Sequence, residues 1–262
     1  MPGIVKRFPG ARVWWEQHVS SVAEEGERPL MPEQPLLSAR DISKQYHDGH
    51  VQALSHVDLD VREREYLVVM GPSGSGKSTL LHILGGIDRP THGEVFFRGQ
   101  PISELKSLSG FRAKELGFVF QTFHLFPTLN ASRNVQIPMF TSSLTPRERE
   151  AKASELLAAV GLQHRMSHLP KELSLGEKQR VAIARSLAND ASLLLVDEPT
   201  GNLDSNAADQ ILDLFDTLHR TRPLTIVLVS HSDACAQRAT RLVRLRDGKI
   251  ESDHRLRPET AS

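Results

Sequence analysis

The stretch Tyr66-Leu67-Val68-Val69-Met70-Gly71-Pro72-Ser73-Gly74-Ser75-Gly76-Lys77-Ser78-Thr79-Leu80 decides the fold. Tyr66–Met70 is an apolar run of strand length. It opens directly into a glycine-rich loop, and residues 78–85 follow as a helix. The loop, Gly71-Pro72-Ser73-Gly74-Ser75-Gly76-Lys77-Ser78, fits G-x-x-x-x-G-K-[ST]. Its glycines let backbone N–H groups curl around phosphate oxygens without Cβ clashes. The helix aims its positive end at the same phosphates. Lys77 places a point charge on the β and γ phosphates, and the Ser78 hydroxyl is a hard oxygen suited to Mg²⁺. Thr79, next on the helix, completes the candidate phosphate-binding set.

A second apolar strand, residues 192–197, runs through Leu193-Leu194-Leu195-Val196 and ends in Asp197-Glu198. By itself an acidic pair here reads equally as a solvated strand end. Beside a phosphate loop, Asp197 is a candidate Mg²⁺ ligand acting through water. Glu198 points the other way along the strand and is a candidate base for an attacking water.

Between these landmarks the order is strand, helix, strand. Leu37–Tyr46 and Val51–Val61 flank the polar turn Asp48-Gly49 and read as antiparallel strands. Residues 93–98 and 117–120 are further short strands. From about 122 to 173 the strand signal disappears and helical stretches such as 147–160 take over, as in a helical insertion. Apolar strands return at 192–197 and 224–230 with a helix at 207–219 between them, which implies a mostly parallel sheet. Arg241–Arg246, the turn Asp247-Gly248 and Lys249-Ile250 form a closing hairpin.

Composition bounds the function. Thirty-two Lys+Arg balance 32 Asp+Glu in 262 residues, so nothing favours a nucleic-acid partner. A hydrophobic share of 39% suffices for one large α/β domain with an ordinary core. The single cysteine, Cys235, excludes an intramolecular disulfide and points to a reducing compartment. No apolar run approaches the roughly 20 residues that cross a bilayer. Residues 1–35 form an extension of different character. Lys6, Arg7, Arg12, Trp14 and Trp15 precede an acidic patch at Glu24, Glu25 and Glu27, with no apolar core of a signal peptide. This arm reads as a flexible segment, as sequence upstream of a true start at Met31, or as a surface helix touching lipid headgroups.

A second helix cap occurs at Leu173-Ser174-Leu175-Gly176-Glu177, where Ser174 and Glu177 have capping-box spacing. It reads equally as a capped helix and as a second anion-seeking helix end, one that serves a neighbour's phosphate.

Phosphate loop, helix cap, Asp197-Glu198 and a later His231 occur in an order that resembles the ABC ATPases, over about residues 36–250. The resemblance implies an α/β P-loop NTPase fold with a mostly parallel core sheet, an antiparallel β subdomain and a helical subdomain at about 122–180, followed by a tail at 251–262. It implies ATP and Mg²⁺ as cofactors, a homodimer in the ATP-bound state, a transmembrane permease as partner, and a peripheral place on the cytoplasmic side of the inner membrane. Tyr46 sits where the family stacks an aromatic on adenine. Gln121 looks like the Q-loop glutamine that senses Mg²⁺ and the permease, and so is a candidate for both metal binding and catalysis. Ser174 and Gly176 match signature positions that touch the γ-phosphate of the opposite subunit, and Asp204 matches the D-loop. His231 matches the switch histidine, a catalytic candidate at the γ-phosphate.

The segments Glu198-Pro199-Thr200-Gly201-Asn202-Leu203-Asp204-Ser205 and Gly117-Phe118-Val119-Phe120-Gln121-Thr122-Phe123-His124-Leu125-Phe126-Pro127 resemble the lipoprotein-release and macrolide-export (LolD/MacB-like) group. Three positions depart from the family pattern. Leu175 replaces a signature glycine at the backbone approach to a γ-phosphate, and is expected to be tolerated because Ser174 and Gly176 remain to meet it. Arg133 stands where the group has Glu, and Arg64 replaces a turn glycine. An importer ATPase and a regulatory ABC module that signals through a membrane partner to cell-wall enzymes are the competing readings.

Overall fold

The computed structural model describes residues 34–46 and 51–256. The expected arm at 1–35, except Gln34 and Pro35, and the turn Asp48-Gly49 lie outside the described residues.

Among the described residues, ten strands form two sheets. The first orders β2 (Val51–Val61), β1 (Leu37–Tyr46), β4 (His92–Phe97) and β5 (Gln100–Pro101), all antiparallel. The second orders β10 (Lys249–Arg255), β9 (Arg241–Arg246), β3 (Tyr66–Met70), β8 (Thr225–Ser230), β7 (Leu193–Asp197) and β6 (Leu116–Val119). Only its β9–β10 hairpin is antiparallel. The mostly parallel sheet and the antiparallel subdomain are both present.

Every residue of β3, β7 and β8 is buried. Strands covered on both faces need no polar alternation, which is why they read as continuous apolar runs. The period of two still assigns the faces. Val68, Met70, Leu194, Val196, Ile226 and Leu228 belong to one core. Leu67, Val69, Leu193, Leu195, Val227 and Val229 belong to the other. The first core carries α3 (Ala131–Gln136), α4 (Pro146–Ala159), α5 (Leu175–Ser186) and α6 (Ser205–Thr221). The second carries α1 (Lys77–Leu84) and the antiparallel sheet.

Two elements differ from the expectation. A helix, α2 (Leu108–Glu115), precedes β6, with Ser107 accepting from Gly110 N. It buries only Phe111, so no apolar stripe advertised it. Strand β10 also continues to Arg255, past the expected boundary at Ile250. Arg241 holds that extension by binding Asp253 with both Nε and Nη2. Arg64 adopts φ 59, the left-handed conformation that glycine takes most easily. Its N–H donates to Thr225 Oγ1 at 2.8 Å, which anchors the turn without a glycine.

Candidate functional site

The phosphate loop is seated against two strands. A Cβ at Gly71 would lie 2.1 Å from the Leu245 carbonyl oxygen, and one at Gly76 would lie 2.3 Å from that of Ala53. Gly76 also has φ 99. The loop thus requires glycine there for close packing as well as for backbone conformation. Gly248 N donates to Ser75 O at 3.1 Å, tying the β9–β10 turn to the loop.

Inside the loop, Lys77 Nζ donates to the carbonyls of Gly71 and Pro72 at 2.9 Å each. Helix α1 begins at Lys77 with no side-chain cap and no acidic residue in its first turn. Its first N–H groups and its dipole are therefore open to an anion.

The acidic strand end meets this loop. Ser78 Oγ donates to Asp197 Oδ1 at 3.0 Å. Burial pushes the Asp197 carboxyl above its usual range, and the Ser78 hydrogen bond recovers part of the shift. A buried carboxylate beside a hydroxyl is a hard-oxygen pair of the kind Mg²⁺ selects, so these residues fit the ion. His82 Nε2 stands 4.0 Å from Asp197 Oδ2. Sequence reasoning missed His82, although its i+4 spacing from Ser78 places both on one face of α1.

Glu198 turns away from Asp197. Its backbone adopts φ 43, an outlier of the kind that concentrates at functional sites. Its N–H donates to Val229 O at 3.0 Å. Oε2 accepts from Ser230 Oγ at 3.1 Å, and Oε1 lies 3.0 Å from His231 Nδ1. The structure therefore brings Glu198 and His231 together. Ser230 was not anticipated, because it reads as the last residue of an apolar strand. Gln121 lies against the turn that follows Glu198: Asn202 Nδ2 donates to Gln121 O at 3.1 Å.

Ser174, Gly176 and Asp204 are not brought to the loop. They line a separate cavity of about 600 Å³ with Leu175, Arg165 and Arg180, and none of residues 71–79 lines it. Ser174 Oγ accepts from Glu177 N at 3.2 Å, and Glu177 Oε2 accepts from Ser174 N at 2.8 Å, which completes the capping box. Glu177 also pairs with Arg165 Nε at 3.0 Å. Leu175 is 48% exposed, so its side chain faces the cavity side rather than a core. Tyr46 ends β1 beside α1, with its hydroxyl donating to Asp88 Oδ2 at 2.7 Å.

A family model described as "ABC transporter" matches residues 54–201. An uncharacterized ABC transporter ATP-binding protein of Thermotoga maritima is 48% identical over 219 residues, 82% of this chain and 93% of that protein. Among solved structures, the ATP-binding cassette MJ0796, a dimer in a post-hydrolysis state bound to ADP and Pi, is similar with TM-score 0.79 and 38% identity. That likeness covers 85% of this chain and all of MJ0796 (100%). The structure of cbiO1 from Clostridium perfringens, part of the ABC transporter complex cbiONQ, has TM-score 0.77 and 26% identity, over 85% of this chain and 89% of that one.

Proposed function

The chain belongs to the ABC transporter family and has the ABC ATPase fold, and on that premise we propose that it is the ATP-hydrolysing subunit of a transporter, dimerising around two ATP to drive a permease of the lipoprotein-release or macrolide-export (LolD/MacB-like) type. The observation that carries this reading is the Ser78–Asp197 contact at the mouth of the phosphate loop, with Glu198 directed to the opposite side.

Lys77 supplies charge to the β and γ phosphates. Ser78, Asp197 and Gln121 would hold Mg²⁺, which would supply charge neutralisation at the phosphates. Glu198 orients the attacking water and takes its proton. Ser230 and His231 set the direction of the Glu198 carboxylate, and His231, which is exposed, is the residue assigned to contact the γ-phosphate. Ser174 and Gly176 serve the nucleotide of the partner protomer, because the cavity they line excludes their own phosphate loop. Among the described residues no helix is long and apolar enough to cross a membrane, so the permease supplies the spanning segments. A largely apolar cleft of about 370 Å³, lined by Phe118, Phe120, His124, Ile137, Pro138 and Arg185, gives that permease a docking place next to Gln121. Arg185 fixes the cleft's rim by donating to the carbonyls of Phe123 and His124 at 2.6 Å each. On this reading the subunit sits peripherally on the cytoplasmic side of the inner membrane, bound to the permease.

Reconstitution tests the reading. ATPase activity of the purified chain should change several-fold when the permease encoded beside it is added in vesicles. Equal rates with and without every adjacent permease contradict a transport role.

A further inference from the structure

Tyr46 is held by more contacts than a surface tyrosine needs. Its hydroxyl donates to Asp88 Oδ2 at 2.7 Å. Lys44, two residues earlier on β1, places Nζ 4.8 Å from the centre of the Tyr46 ring. The same ammonium donates to Asp88 Oδ1 and to Arg89 O, at 2.7 Å each. Lys44 is 12% and Asp88 30% exposed, so this is a partly buried ion pair that Arg89 O and the Tyr46 hydroxyl reinforce. Burial alone would raise the Asp88 carboxyl. Hydrogen bonds from Lys44, Tyr46 and the Arg89 N–H outweigh it and hold Asp88 below the usual range, so it is a charged acceptor at neutral pH.

The cluster joins two parts of the fold. Lys44 and Tyr46 end a strand of the antiparallel sheet, and Asp88 follows the helix that begins at the phosphate loop. Nothing in the phosphate chemistry uses Lys44 or Asp88. Their shared object is the Tyr46 ring, whose hydroxyl is pinned and one of whose faces is covered by a cation.

We propose that Lys44 and Asp88 are positioning residues for nucleotide-base recognition: they lock the Tyr46 ring against the phosphate-loop helix so that its second face is presented, already ordered, to the base. This rests on the proposed reading that the chain binds ATP with Tyr46 against adenine. Pre-ordering removes the rotamer cost that a free tyrosine would incur on stacking. The Lys44 charge also withdraws electron density from the ring, which suits it to an electron-rich purine.

The test separates base from phosphate. Calorimetry with Mg²⁺ compares ATP and inorganic tripolyphosphate as ligands of the full chain. Stacking between a base and an aromatic ring is strong enough that losing it weakens ATP binding about fivefold or more. Tyr46→Ala should show that loss and leave tripolyphosphate binding within about twofold. Asp88→Asn and Lys44→Met should repeat this selective pattern at smaller size. Asp88→Asn added to Tyr46→Ala should cost nothing further. If Asp88→Asn weakens both ligands equally, or neither, the positioning role is overturned. If Tyr46→Ala itself is not selective, the base-stacking reading falls, and this inference with it. Nucleotide-free protein provides a readout independent of the ligand, because the chain has only two tyrosines and Tyr66 is buried. Burial and the bond to Asp88 hold the Tyr46 hydroxyl above its usual value. Asp88→Asn should therefore move one tyrosinate absorbance transition to lower pH, and an unmoved transition counts against the lock.

Discussion

Helices α1 and α5 both start at an anion-seeking end, but the two ends are built differently. The N-terminus of α1 is bare: Gly76 offers no side chain, and no acidic residue occupies the first turn. The N-terminus of α5 is closed on itself, with Ser174 and Glu177 satisfying each other's backbone donors and Glu177 adding a negative charge that Arg165 balances. A bare helix end is unsatisfied until an anion arrives, so it binds by itself. A capped end is already partly satisfied. Besides the Ser174 O–H it retains the Leu175 and Gly176 N–H groups as donors, and suits a phosphate that another surface already holds. On the proposed reading, the same helix physics makes a primary site at α1 and an auxiliary one at α5, and the auxiliary site needs a partner.

The largest effect that would break this comparison is at the bare end. Lys77→Ala should weaken ATP binding by about 10²-fold or more, since it removes an enclosed charge from the loop. Near-normal affinity by calorimetry would mean that α1 is not the primary site. At the capped end, Ser174→Ala should leave ATP affinity of the monomer unchanged. It should lower the melting temperature by about 2–4 °C through loss of the cap, and weaken ATP-dependent dimerisation. A loss of monomer affinity as large as that of Lys77→Ala would erase the distinction.

A smaller effect sharpens the electrostatics of the bare end. Burial raises the Asp197 carboxyl, so the folded chain binds this proton more tightly than the unfolded chain does. Asp197 thus favours folding at low pH, and that contribution is lost as pH rises through the ordinary carboxylate range and past the raised value. Asp197→Asn should raise the melting temperature of nucleotide-free protein at pH 7 by about 2–4 °C, with the gain shrinking toward pH 4, while Mg²⁺-dependent ATP binding weakens. A variant that melts lower at pH 7 would show that the carboxylate is already compensated without a cation.

Much of this was legible in the sequence because it rests on local rules. Runs such as Leu193-Leu194-Leu195-Val196 announce strands buried on both faces, and Gly71 to Ser78 announces a loop whose spacing permits little else. Helix α2 was hidden because one buried phenylalanine, Phe111, leaves no periodic stripe. The contacts of the candidate site were hidden for a different reason. Asp88 meets Lys44 and Tyr46 across more than 40 residues, and Ser230 meets Glu198 across 32. Such pairs are set by sheet order, which no local pattern encodes. The left-handed backbone of Glu198 was equally invisible, since glutamate gives no hint of a positive φ.

The central claim is that the bare and capped ends meet only between two protomers, across shared ATP. Glu198→Gln tests it most directly, because it keeps the size of the side chain, removes the base and lifts one negative charge from the phosphates. Turnover should fall by about 10²–10⁴-fold while ATP still binds. Size-exclusion chromatography of this variant with ATP and Mg²⁺ should show a dimer that reverts to monomer when ADP replaces ATP. A species that stays monomeric at saturating ATP, or that hydrolyses at the normal rate, would contradict both the role of Glu198 and the shared site.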